Sequence, residues 1–341
     1  MNASSLDLPV NLSFEIDLDF GSKETGSVGL HRRLWQTVTA DFQSITLHNV
    51  AGDRYRICPD WSAVLQAFAQ PRHARSLIDK TSVPVTVYIQ SENKRIDALF
   101  NGAQGAIRLF LNHIFLAANI SAPGSCSFQG CSILSDHHSY AHYSRQNISL
   151  SGENFQFALW RHKVHHLLPP VGFVDYRKVR TWLAANLSPT AQRATTSTQR
   201  ALFSICHLCY KYGGGPAGLV WLSHALEALY STTAGHNVNA LQNRAIQVLR
   251  IAKDKQDKFR KDIRNFYSTR SAFVHGGFRI LHPFEDDRFD NKTDMVYEEL
   301  YEPAIFGFTL VLSTIQTMVK RRWSEMKFQE RHTGVITPSG A

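Results

Sequence analysis

Cysteine is scarce and unevenly spread in this chain. Cys58, Cys126, Cys131, Cys206 and Cys209 are odd in number and scattered, which excludes the paired framework of a small secreted domain and favours a reducing, cytoplasmic setting. Long hydrophobic runs are also lacking. The most apolar stretch, Ala304 to Val319, is interrupted by Gly307, Thr309, Ser313, Thr314, Gln316 and Thr317, and it is shorter than a bilayer span needs. Although Lys320-Arg321-Arg322 follows it, the expectation is a buried core helix and no membrane partner. The opening residues, Met1 to Asp7, contain no basic segment leading into an apolar run, so no secretory signal is expected. No repeat recurs at a fixed period. The glycine cluster from Gly213 to Gly218 lacks the lysine of a phosphate loop, and no Ser or Cys nucleophile motif stands out.

What is present suits a globular protein. A length of 341 residues with 43% hydrophobic content can support two separately cored domains. The formal net charge of +9 favours polyanionic partners, though it also fits a solvated basic surface. In the first half, Leu12, Phe14, Ile16, Leu18 and Phe20 alternate with Asn11, Ser13, Glu15, Asp17 and Asp19, the period of a half-buried strand. Val83 to Gln90 and Asn147 to Trp160 read as further strands, and Ala106 to Ala118 as a helix. Ser188 to Thr198 has almost nothing to bury and reads as a linker.

Helices fill the remainder: about Gln199 to Tyr212, Ala217 to Tyr230 opened by Pro216, a third capped by Asn237, a basic one from about Asp257 to His275, and a last from about Asp294 to Trp323. The expected fold is an α+β two-domain protein. A mostly-β N-terminal domain over 1–190 precedes an all-α helical bundle over 191–330, with a tail over 331–341.

The histidine and cysteine clusters do not match a metal-site pattern. His162-Lys-Val-His165-His166 has no Glu at the metalloprotease position, and Asp136-His137-His138 stands alone. Cys206-His-Leu-Cys209 is a single C-x2-C on an amphipathic helix, better suited to buried thiols. No metal and no cofactor is expected.

The most informative stretch is Arg270-Ser-Ala-Phe-Val-His275, followed by Gly276-Gly277. An imidazole can take a proton from a ribose 2′-hydroxyl, and a guanidinium can hold the charge that builds on phosphate. Arg270 falls on the apolar seam of Phe259, Ile263, Phe266, Tyr267, Phe273 and Val274, where a charge must be paired or face a cleft. His275 lies about 140° further round the helix, so the two side chains do not share a face. Two copies packed about a twofold axis can bring them together, which predicts a homodimer. Ser271, one turn below, can reach His275. Lys258, Lys261, Arg264 and Arg279 supply charge for an RNA backbone. Phe266 and Phe278 are candidates for base stacking or for core.

Tyr267-Ser-Thr-Arg270-Ser-Ala-Phe-Val-His275-Gly276 resembles the signature of the HEPN superfamily (higher eukaryotes and prokaryotes nucleotide-binding), in particular its Apea-like branch. Trp221-Leu-Ser-His-Ala-Leu226-Glu227-Ala-Leu229 resembles the family's Ala-Leu-Glu-x-Leu helix, and Asn243-Arg244-Ala245 its next helix. The resemblance covers about Gln199 to Trp323. It implies a HEPN-like helical bundle and a metal-independent endoribonuclease acting as a toxin or anti-phage defence effector. Arg270 and His275 would be catalytic at a dimer interface, with Tyr267, Ser271, Glu227 and Arg244 in support. Many active members place Asn, Asp or His directly after the arginine, where this chain has Ser271. The N-terminal domain lies outside the resemblance and is expected to sense a phage-derived or cellular trigger, hold a partner or guide RNA. The alternative is an inactive dimerisation or nucleotide-binding scaffold of the same fold.

Overall fold

The computed structural model describes residues 10–20, 28–69, 80–92, 95–133, 149–163, 166, 168–210, 215–232, 238–282, 288–289 and 292–329. Asp136, His137, His138, His165, Gly213, Gly214, Asn237 and the tail fall outside them.

Strand β1 (Val10–Asp19) is the strand its alternation predicts, with Leu12, Phe14, Ile16 and Leu18 buried. It lies between β4 (Lys80–Gln90) and β5 (Ser127–Ile133), antiparallel to both. β2 (Ile45–His48) and β3 (Arg54–Pro59) complete an antiparallel sheet of order β2-β3-β4-β1-β5. The helices α2 (Ser62–Ala69) and α3 (Ile96–Ser121) pack on the sheet, and α1 (Val28–Asp41) packs on both of them. Phe100 of α3 stacks on Phe14 of β1.

The N-terminal region is therefore mixed α/β, which corrects the mostly-β expectation. One expected strand is a helix: α4 (Glu153–Lys163) replaces most of the run from Asn147 to Trp160, leaving Leu150 in an isolated bridge. Phe155, Ala158 and Leu159 are its buried apolar residues. Their spacing is helical, and it prevails over the alternation of Phe155, Phe157 and Leu159.

The rest is a helical bundle: α5 (Tyr176–Asn186), α6 (Ser197–Cys209), α7 (Ala217–Tyr230), α8 (Val238–Leu249), α9 (Gln256–Val274) and α10 (Thr293–Arg321). The expected link ends in a capping box, Thr196 accepting from the Gln199 N–H and Gln199 reaching back to the Thr196 N–H. The bundle and the sheet region share one continuous buried core.

Helix α10 runs through that core. It is long and apolar enough to cross a membrane, yet 83% of its most apolar stretch is buried within the protein. The polar side chains in its buried middle are hydrogen-bonded. Gln316 donates to the carbonyls of Ile120 and Gly172 and accepts from the Gly172 N–H. Ser313 donates to Pro170, and Thr314 bonds to the Tyr230 hydroxyl at 2.6 Å.

Gly307 lets α9 come close to α10, because a Cβ there would lie 2.5 Å from Cε2 of Phe266. Gly307→Ala is therefore expected to displace Phe266 and lower stability by about 1–3 kcal/mol, read as a fall in the denaturant midpoint. An unchanged midpoint would show that the two helices are not in close contact.

Candidate active site at the contact of α7 and α9

Helix α9 buries Phe259, Ile263 and Phe266 and then brings Tyr267 and Arg270 to the margin of the core, both half-buried. The seam does not continue as expected, since Phe273 is half-buried and Val274 exposed. The helix stops where the glycine pair predicts. Gly276 has φ of +77°, its N–H reaches the Phe273 carbonyl, and the Gly277 N–H reaches Ala272 at 2.7 Å. This is a Schellman termination, for which glycine is favoured because it has no Cβ to strain.

Three of the expected residues come together. Glu227 on α7 is half-buried, and α7 packs against α9. Burial raises the Tyr267 phenol well above the usual tyrosine range; the Glu227 carboxylate adds to this and the Arg270 guanidinium opposes it. The Tyr267 hydroxyl and the Arg270 Nε are both buried without a hydrogen-bond partner among the described residues. Such atoms are costly in a folded protein and are normally satisfied, and Arg270 makes no ion pair among the described residues. A guanidinium and a neutral phenol both donate, so this pair has the chemistry to hold an anion's oxygens.

His275 is not part of that group. It caps α9, its backbone N–H donates to the Ser271 carbonyl at 3.0 Å, and its imidazole is exposed with no partner among the described residues. Ser271 thus meets His275 through the main chain and not through its hydroxyl. Lys261, Arg264 and His275 are all exposed and project within about 60° of one another around α9, whereas Arg270 lies more than about 100° from each. The helix offers an arginine on one side and a basic stripe ending in an imidazole on another. Lys258 is exposed one turn before Lys261, but it lies about 100° or more around the helix from Arg264 and His275.

Other expected residues are already engaged. Arg244 donates to the carbonyls of Tyr230 and Ser231 and lies 4.9 Å over the Phe328 ring, so it holds the end of α7. Arg279 is ion-paired with Glu299 of α10. Phe266 is fully buried against Gly307 and belongs to the core, not to a base-stacking surface.

Asp262 is half-buried and faces Arg161 of α4 at 3.9 Å. Arg161 is buried, also faces Glu302 at 3.7 Å, donates to the Leu168 carbonyl and lies over the Phe306 ring. No local signal reveals it, because its partners are distant in sequence. Cys126, Cys131 and Cys209 are buried thiols, and burial raises Cys206 to about 12. No group of three His, Cys, Asp or Glu side chains suited to a metal ion occurs among the described residues.

No family model, curated protein or solved structure matches this chain. The family resemblance of the α9 stretch rests on its own residues.

The Tyr267 hydroxyl provides a test of the site that is independent of activity. Removing a buried group that has no partner relieves its desolvation penalty. Tyr267→Phe should leave stability unchanged or raise it by up to about 1 kcal/mol, measured by urea unfolding. A loss larger than that would mean the hydroxyl is bonded in the folded protein.

Proposed function

We propose that the chain is a metal-independent endoribonuclease of HEPN type, acting as a homodimer, and that it serves as a toxin or anti-phage effector. The observation that carries the proposal is the buried Arg270 Nε, without a hydrogen-bond partner among the described residues, on a guanidinium that shares the surroundings of Tyr267 with the Glu227 carboxylate. It is supported by an exposed His275 at the end of a basic stripe.

In this reading His275 of one protomer takes the proton from a ribose 2′-hydroxyl. The 2′-oxygen attacks the adjacent phosphorus and the bond to the 5′-oxygen breaks; that oxygen takes a proton from water and the proton on His275 returns to solvent, leaving a 2′,3′-cyclic phosphate and a 5′-hydroxyl. Arg270 of the other protomer holds the dianionic transition state, while Glu227 orients that guanidinium through the α7–α9 contact. Lys258, Lys261 and Arg264 draw in the RNA backbone. The N-terminal region holds the trigger. DNA lacks the attacking hydroxyl and resists cutting.

One observation favours a second reading, the catalytically inactive scaffold. Arg270 and His275 point to different sides of α9 within a protomer, and a dimer need not reunite them. RNA cleavage in excess chelator separates the two. The wild type should cut RNA, leave DNA intact and give cyclic phosphate ends. Arg270→Ala and His275→Ala should each slow cutting by roughly 10²–10⁴-fold without lowering the melting temperature. Cutting that requires an added divalent metal contradicts the mechanism. RNA left intact by the wild type favours the scaffold.

A further inference from the structure

A cavity of about 320 Å³ opens between α3 and α6, where the link after α5 passes over them. It is unrelated to the arginine site and lies at the seam of the sheet region and the helical bundle. Its size is at the lower end of small-molecule sites, about 300–1,000 Å³. Leu109 and Leu116 of α3, Phe203 of α6 and Leu187 supply apolar wall. None of the described residues lining it is an Asp, Glu, Lys or Arg, so a charged guest would be left unpaired there.

One lining residue is chemically well defined. His113 is buried, and its Nε2 faces the Arg180 Nη1 at 3.5 Å. A guanidinium only donates, so Nε2 accepts and the ring proton sits on Nδ1. Burial, and then the charge of Arg180, lower the His113 pKa to about 4, which keeps the ring neutral at physiological pH. His113 thus lines the cavity as a neutral ring whose Nδ1–H has no hydrogen-bond partner among the described residues. The sequence holds a signal for this: Leu109, Asn112, His113 and Leu116 share one face of α3 at helical spacing.

We propose that this cavity binds a small, uncharged, largely apolar compound carrying a hydrogen-bond acceptor, and that its occupation tightens the seam between the sheet region and the bundle. Apolar walls supply the attraction, the His113 donor fixes the orientation, and the absence of charged lining among the described residues selects against ions.

Benzamide, benzoate and benzamidine test this, being of one shape and three charges. Calorimetry should show saturable benzamide binding below roughly 5 mM, a range accessible to a nine-heavy-atom fragment. Both ions should bind at least about tenfold more weakly. Benzamide should also raise the melting temperature, because it binds only the folded chain. Ala191→Trp, on the link itself, fills the space and should abolish benzamide binding. If that variant does not fold, Gln192→Trp, at an exposed link position, carries the same test. The proposal is overturned if benzamide shows no saturable binding, if either ion binds as tightly, or if a folded plug variant binds benzamide like the wild type.

Discussion

The buried middle of α10 must be covered on every side, and most of the architecture answers that demand. A helix that is apolar all round gains by leaving water, at about 25 cal/mol per Å² of apolar surface, but needs neighbours on each face. Here α4 supplies Phe155 against Phe308, α9 supplies Phe259 against Phe306, and α7 supplies Tyr230 against Thr314. Gln316 ties the remaining side to Gly172 and to the end of α3. Removing any of these contacts would expose apolar surface or leave a buried polar atom unanswered.

This constraint also fixes the candidate site. Helix α9 can approach α10 closely only because Gly307 leaves room for Phe266. That depth sets Tyr267 and Arg270, the next residues on the same side, at the margin of the core and not in open solvent. Arg161 reinforces the placement by spanning from α4 to Asp262 on α9 and Glu302 on α10. Arg270 thus stands on a packed helix, on the side that α7 approaches and that carries Tyr267. His275 sits just beyond the last turn, where a Schellman cap defines the backbone and the imidazole remains exposed. A rigid arginine and an exposed imidazole on different sides of one helix suit a groove completed by a second copy.

Sequence patterns revealed some of this and concealed the rest for physical reasons. The alternation in β1 and the glycine stop of α9 are local signals, and both elements form where those signals lie. In α4 the rings of Phe155 and Phe157 and the side chain of Leu159 alternate as in a strand, while Phe155, Ala158 and Leu159 repeat as in a helix. Only the packing of Phe155 between Phe115 and Phe308 decides between them. Tyr267 and Arg270 could be placed on one side of α9 from spacing alone. The engagement of Arg244 with the end of α7, of Arg279 with Glu299, and of Asp262 with Arg161 joins residues from separate elements, and local periodicity does not encode such pairs. Mobility of function along the helix is limited for the same reason: the buried seam fixes which residues of α9 remain available.

The central claim is that an arginine from one chain and an imidazole from its partner form one cutting site. Mixing the Arg270→Ala and His275→Ala proteins, each inactive alone, tests it directly. In a randomly reassorted dimer population one composite site in four keeps both groups, so the mixture should regain about a quarter of wild-type RNA cleavage. A mixture that forms heterodimers yet stays as inactive as either variant would contradict the account.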